Sequence, residues 1–120
     1  MPVDSFTQRL ARVRQRFVST LEGKIEDTYA DLPKLSGSDR GVTDTLDETY
    51  RRIHGIVAVG PTVGFAATGR AARTVENVLL EPHQAARALL PNEVATLKKA
   101  LHVLRQTAQQ ELQTTYTSWR

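Results

Sequence analysis

The chain has no cysteine among its 120 residues, which excludes a disulfide framework, thiolate chemistry and cysteine-ligated zinc together. It also lacks a long apolar run. The longest weakly polar stretch, 55–67, is interrupted and falls short of the roughly 20 residues that cross a bilayer. The opening "MPVDSFTQRLARVRQRF" has none of the apolar character of a secretory signal, so a soluble, cytoplasmic protein with no membrane partner is expected. No segment fits the "GxxxxGK" phosphate loop, which removes support for ATP binding and self-phosphorylation. His83 and His102 have no carboxylate or histidine three or four places away to complete a metal set, and no serine or threonine has a histidine and an acid placed for a triad. No cofactor or metal is expected on this chain.

What remains is an ordinary globular composition, 40% hydrophobic and 24% charged, of a length that suits one domain over residues 1–120. The net charge of +3 comes from 16 basic against 13 acidic residues. Its one concentration, "RLARVRQR", spreads Arg9, Arg12, Arg14 and Arg16 around a helix, as a solvated face does, so nucleic acid is not expected as a partner. A mild basic excess suits an acidic protein partner.

Helical periodicity dominates. Phe6, Leu10, Val13, Phe17, Leu21, Ile25 and Leu32 step by threes and fours with one gap near Tyr29, which predicts a first long helix capped by Asp4 or Ser5 and closed by Pro33. "KLSGSDRGVTD" reads as a loop. Thr43 or Asp44 is the expected cap of a second helix carrying Leu46, Tyr50, Ile53 and Val57, with Pro61 bending or tightening its last turn and Gly64 ending it. A third helix spans about 66–80 with Ala71, Ala72, Val75, Val78 and Leu79 on one side, and "EPHQ" breaks it. A short turn over 83–90 then precedes a last helix that opens at Pro91 and carries Val94, Leu97, Leu101, Leu104, Ala108 and Leu112. No segment of any length alternates with period two. The expected fold is all-α, an antiparallel up-and-down four-helix bundle with a short extra helix as an option. Trp119, near the end, is expected to fray.

The most apolar segment, "HGIVAVGPTVGF", begins with a histidine. On a wheel of 100° per residue, His54 lies about 70° from the mean direction of Leu46, Tyr50, Ile53 and Val57, at the edge of the buried stripe. The flank beside it holds Asp47, Arg51, Gly55 and Ala58. Glycine inside a helix costs about 1 kcal/mol against alanine, so Gly55 needs a reason. Either a small surround lets a partner's backbone reach the imidazole, or Gly55 and Ala58 let another helix pack closely.

The stretch "RIHGIVAVGPTVGFAATGRAARTVE" resembles the core of histidine phosphotransfer domains, the helical phosphocarriers of bacterial multistep two-component relays. In that family a histidine is followed by an apolar residue two places on, small residues at four and six, a glycine at ten, an apolar or aromatic residue, a small-residue helix and a glutamate. His54, Ile56, Ala58, Gly60, Gly64, Phe65, Ala71, Ala72, Val75 and Glu76 fill those places without a gap. The family's usual lysine and glycine, three and four places after its histidine, are here Val57 and Ala58, and Arg51, one turn earlier, is the available replacement cation. A rival register sets the motif's glycine on Gly55 and puts Arg51 in the histidine's place, but it needs a three-residue insertion before Gly64.

The resemblance implies a phosphorelay carrier. His54 would accept a phosphoryl group from a receiver-domain aspartate through the ring nitrogen farther from the backbone and pass it to another receiver. The partners would be receiver domains of response regulators or hybrid kinases, which bring their own Mg²⁺, and the carrier would be a monomer. The docking flank would comprise Asp47, Arg51, Gly55 and Ala58, with Arg70 and Arg73 from the next helix; Arg51 and Arg52 are candidates to orient phosphate. Two other readings stay open: a degenerate carrier acting as a scaffold or inhibitor without transfer, and a helical oligomerisation or nucleic-acid-binding module that uses the basic first helix.

Overall fold

The computed structural model describes the backbone over residues 2–37 and 40–118, and the side chains over 5–37 and 40–114. Four helices account for nearly all of it: α1 (Pro2–Leu35), α2 (Val42–Val59), α3 (Ala66–Ala85) and α4 (Pro91–Ser118), with a single 3₁₀ turn, Gly60–Val63, between α2 and α3. No strand occurs among the described residues.

The apolar faces read from the sequence meet in one core, except that Phe6, Leu10 and Val13 at the start of α1 are exposed and lie outside it. Phe17, Leu21, Ile25 and Leu32 of α1 pack with Leu46, Ile53 and Ile56 of α2, Ala72, Val75 and Leu79 of α3, and Leu97, Leu101 and Leu104 of α4. Phe65 is completely buried at one end, its ring tilted 52° to that of Phe17 with centroids 5.1 Å apart. The gap in the α1 pattern near Tyr29 is filled by Thr28, which is fully buried. Its hydroxyl donates to the Lys24 carbonyl and accepts from Arg52 Nη1. Arg52 also meets Asp31 at 2.9 Å, and Thr49 donates to the same carboxylate, so a small polar cluster fastens α1 to α2. Arg52 is thereby turned toward α1 and is not a phosphate-orienting group beside His54.

Several helix ends differ from the sequence expectation. Pro33 does not close α1, which continues to Leu35. Leu35 is fully buried and its carbonyl accepts from the Leu89 N–H at 2.9 Å, and this packing outweighs the local preference before a proline. Likewise "EPHQ" does not break α3. Pro82 is buried inside the helix, which runs to Ala85, so His83 is helical and no separate turn forms over 83–90. Asp4 and Ser5 lie inside α1, which starts at Pro2. Gly41 takes the N-cap position of α2, leaving Thr43 and Asp44 within its first turn. Pro91 does open α4, where the Glu93 carboxylate accepts from the Leu90 N–H at 2.8 Å as in a capping box. Trp119 lies outside the described residues.

The α2–α3 connection positions the site. Pro61 sits in the 3₁₀ turn and Gly64 caps it with φ 91°, a left-handed conformation that favours glycine. A Cβ on Gly69 would stand 2.9 Å from Pro61 Cδ, so the turn can lie against the start of α3 only because that residue is glycine. The N-terminus of α3 has no cap from its own side chains, and Glu111 of α4 accepts from the Thr68 N–H at 2.6 Å instead.

Candidate functional site

His54 projects from α2 toward solvent, its side chain 60% exposed. It is farther from the core than the expected stripe edge because Val42, Thr49 and Ile56 are also buried and draw the centre of the buried face away from it. That shift puts His54 at about 110° from the centre at 100° per residue. Tyr50, read from the sequence as core, is correspondingly only half-buried.

Across the helix interface, Glu76 of α3 reaches His54 Nδ1 with Oε2 at 2.5 Å, its own side chain only 12% exposed. A carboxylate can only accept, so the contact puts a proton on Nδ1, and in the neutral ring Nε2 then keeps its lone pair. The nearly buried carboxylate therefore selects the tautomer whose free nitrogen is the one farther from the backbone. It is also placed to offset positive charge that develops on the ring.

A second set of contacts runs along the same interface. His83 Nε2–H donates to Asp47 Oδ1 at 3.0 Å, and Asp47 Oδ2 accepts from Arg51 Nε at 3.0 Å. The His83 hydrogen bond, joined by Arg51, holds the Asp47 carboxyl below its ordinary range. The His83 ring stacks on Tyr50 with centroids 4.3 Å apart and planes within 5°, and Tyr50 lies parallel to His54 within 7° at 6.2 Å.

The small flank is open. A Cβ on Gly55 would meet nothing within 4 Å, so close packing of another helix is not what Gly55 serves. Ala58 and Arg51 are exposed, as are Arg70 and Arg73 on α3. Arg73 stands one turn before Glu76 and shares its side of the helix, whereas Arg70 lies a further turn away, near the 3₁₀ turn. Val57, where the resemblance would place a lysine, is 8% exposed and belongs to the core.

Sequence reasoning underrated two residues here. Pro82 signals a break before His83, but α3 is unbroken there, and His83 falls seven residues after Glu76, on the same side. Tyr50 was counted as core because its spacing fits the apolar stripe. Glu76 was reachable through the resemblance alone, since nothing local marks it.

Two surface depressions lie elsewhere. One of about 50 Å³ is lined by Glu22, Ile25, Glu26, Arg105, Ala108 and Gln109, and another of about 320 Å³ by Ala11, Arg14, Gln15, Val18 and Ser19. Among the described residues no three acidic, histidine or cysteine side chains gather as a metal site, and no helix is long and apolar enough to cross a membrane. No family model, curated protein or solved structure matches the chain, so what the site does rests on its own geometry.

Proposed function

We propose that the protein is a phosphocarrier of the histidine phosphotransfer type, with His54 as the acceptor and the four helices forming that family's antiparallel bundle. The observation that carries the reading is the pairing of Glu76 with His54 Nδ1, which leaves Nε2 free on an exposed flank beside an unpacked Gly55. In the reaction, the Nε2 lone pair attacks the phosphorus of a receiver's aspartyl phosphate in line. The bond to the aspartyl oxygen breaks, and the carboxylate leaves with its electron pair. Nδ1 keeps its proton throughout, and Glu76 offsets the charge of the phosphorylated ring. The receiver contributes Mg²⁺, and transfer onward is the same step reversed on a second receiver.

The chain supplies a nucleophile on a protruding surface, which suits a partner that brings the rest of the site. Arg51, held by Asp47 one turn before His54, is the exposed cation available to replace the absent lysine, since Arg52 is paired with Asp31. The degenerate-scaffold reading has one observation in its favour, the burial of Val57 at the lysine position.

The test is incubation with a phosphorylated receiver domain, reading acid-labile, base-stable label on wild type, His54→Ala and Glu76→Gln. Wild type is expected to take label, His54→Ala none, and Glu76→Gln to be slowed by roughly 10- to 100-fold, the scale for losing the carboxylate that sets the tautomer of a metal-bound histidine. Binding of a receiver with no label on wild type replaces this reading by the scaffold.

A further inference from the structure

One hydrogen bond does not fix an imidazole. Glu76 holds only Nδ1, so play in that one hydrogen bond and in the Glu76 side chain leaves the His54 ring freedom about its Cα–Cβ and Cβ–Cγ bonds, and the side chain is largely in solvent. A nucleophile that must align with a partner's phosphorus needs that freedom removed, since misplacement by about 1 Å can cost about 100-fold in rate.

The structure holds a second restraint that the phosphoryl chemistry does not use. Tyr50 lies one turn before His54, with its ring nearly parallel to the imidazole. The Tyr50 ring is in turn set by His83, which stacks on it at 4.3 Å with planes 5° apart. His83 does not choose that position by packing alone, because its Nε2–H is bound to Asp47 on α2. Asp47 belongs to the same helix as Tyr50 and His54, so the array closes from α2 to α3 and back. We propose that Tyr50 and His83 are positioning residues for His54: Asp47 holds His83, the face of His83 holds Tyr50, and Tyr50 limits rotation of the His54 ring while Glu76 fixes its tautomer. The consequence for rate rests on His54 being the phosphoryl acceptor; the restraint on the ring does not.

The experiment uses the whole chain and phosphoramidate, a small donor that requires no protein partner. Wild type, His83→Ala, His83→Phe and Tyr50→Leu are compared by the ring-proton shifts and nitrogen tautomer of His54 in NMR, and by the rate of labelling against donor concentration. His83→Ala is expected to move the His54 ring-proton shifts toward those of an unrestrained histidine and to lower the maximal labelling rate by roughly tenfold, with little change in the donor concentration at half-maximum. Tyr50→Leu should reproduce both effects. His83→Phe, which keeps a flat ring against Tyr50 but loses the hydrogen bond to Asp47, should fall between wild type and His83→Ala. Thermal melts separate these effects from loss of fold, and His83, being partly exposed, tolerates substitution on that score. Wild-type ring shifts and rate in His83→Ala would overturn the proposal, as would equal impairment of His83→Phe and His83→Ala. Absence of label on wild type refutes the carrier reading instead, and the ring shifts alone then decide whether the restraint exists.

Discussion

Gly55 shows how one residue can be costly to a helix and still be kept. Both explanations open from the sequence, clearance for a partner and close helix packing, predict a small side chain, but only packing predicts a neighbour. The space a Cβ would enter is empty to 4 Å, so stability offers no reason for glycine at this point. Gly55→Ala is therefore expected to stabilise the protein by about 1 kcal/mol, read as a rise in the melting temperature. Under the proposed carrier function, the same change should slow transfer from a receiver while leaving labelling by phosphoramidate as it was, because a methyl group beside the imidazole obstructs a protein surface far more than a small donor. Equal rates from both donors would remove clearance as the reason. Val57 is the opposite case. Its departure from the resembled pattern is visible in the sequence, but its cause is not: the side chain is part of the core, and a lysine there would have to reach out past its neighbours.

At the scale of the helices, α3 ends on an instructive strain. Ala86 adopts φ 50° and ψ 50°, and its N–H bonds back to the His83 carbonyl, a left-handed cap usually supplied by glycine. An L-residue loses roughly 1 to 2 kcal/mol there. Ala86→Gly should accordingly raise stability by about 1 kcal/mol in chemical denaturation, whereas a β-branched residue should lower it. The faces of the helices were legible in the sequence because burial imposes a period of three and four, and Leu21, Ile53, Val75 and Leu101 all lie where that period puts them. Helix ends were not. Pro33 and Pro82 carry a local signal to stop, but Leu35 and Pro82 itself are buried, and tertiary packing extends both helices past the signal. Pro82 matters for the site as well, since only an unbroken α3 aligns His83 with Glu76. The small residue at Gly60 was legible only as part of a resemblance. Its physical reason is that a Cβ there would come within 3.0 Å of the Phe65 carbonyl oxygen.

Across the whole molecule, the helices are tied by carboxylates whose pKa values are lowered on folding. His83, aided by Arg51, holds Asp47 down across α2 and α3, and Arg87 with the Leu90 N–H holds Glu93 down at the α3–α4 turn. A lowered folded-state pKa adds stability that is present above the ordinary values of 3.8 and 4.5 and is lost as pH falls through the folded values. The melting temperature should thus decline below about pH 4.5, and Glu93→Gln, less stable than wild type at neutral pH, should converge on it in acid. The other whole-molecule feature is the length of α1 in a body measuring 53 × 27 × 19 Å. No described side chain from Ser5 to Arg16 is buried, and Phe6, Leu10 and Val13 continue the core stripe of α1 into solvent. The core begins at Phe17. Removing residues 1–16 should therefore lower the melting temperature by less than about 4 °C, the equivalent of about 1 kcal/mol, and leave labelling of His54 intact. A larger loss would mean that the start of α1 is held against the end of α4 and contributes to the fold. The same truncation discriminates function: it deletes Arg9, Arg12, Arg14 and Arg16 together, so a module that binds nucleic acid through this helix would lose a salt-dependent affinity, while a phosphocarrier working through the α2–α3 face would lose nothing.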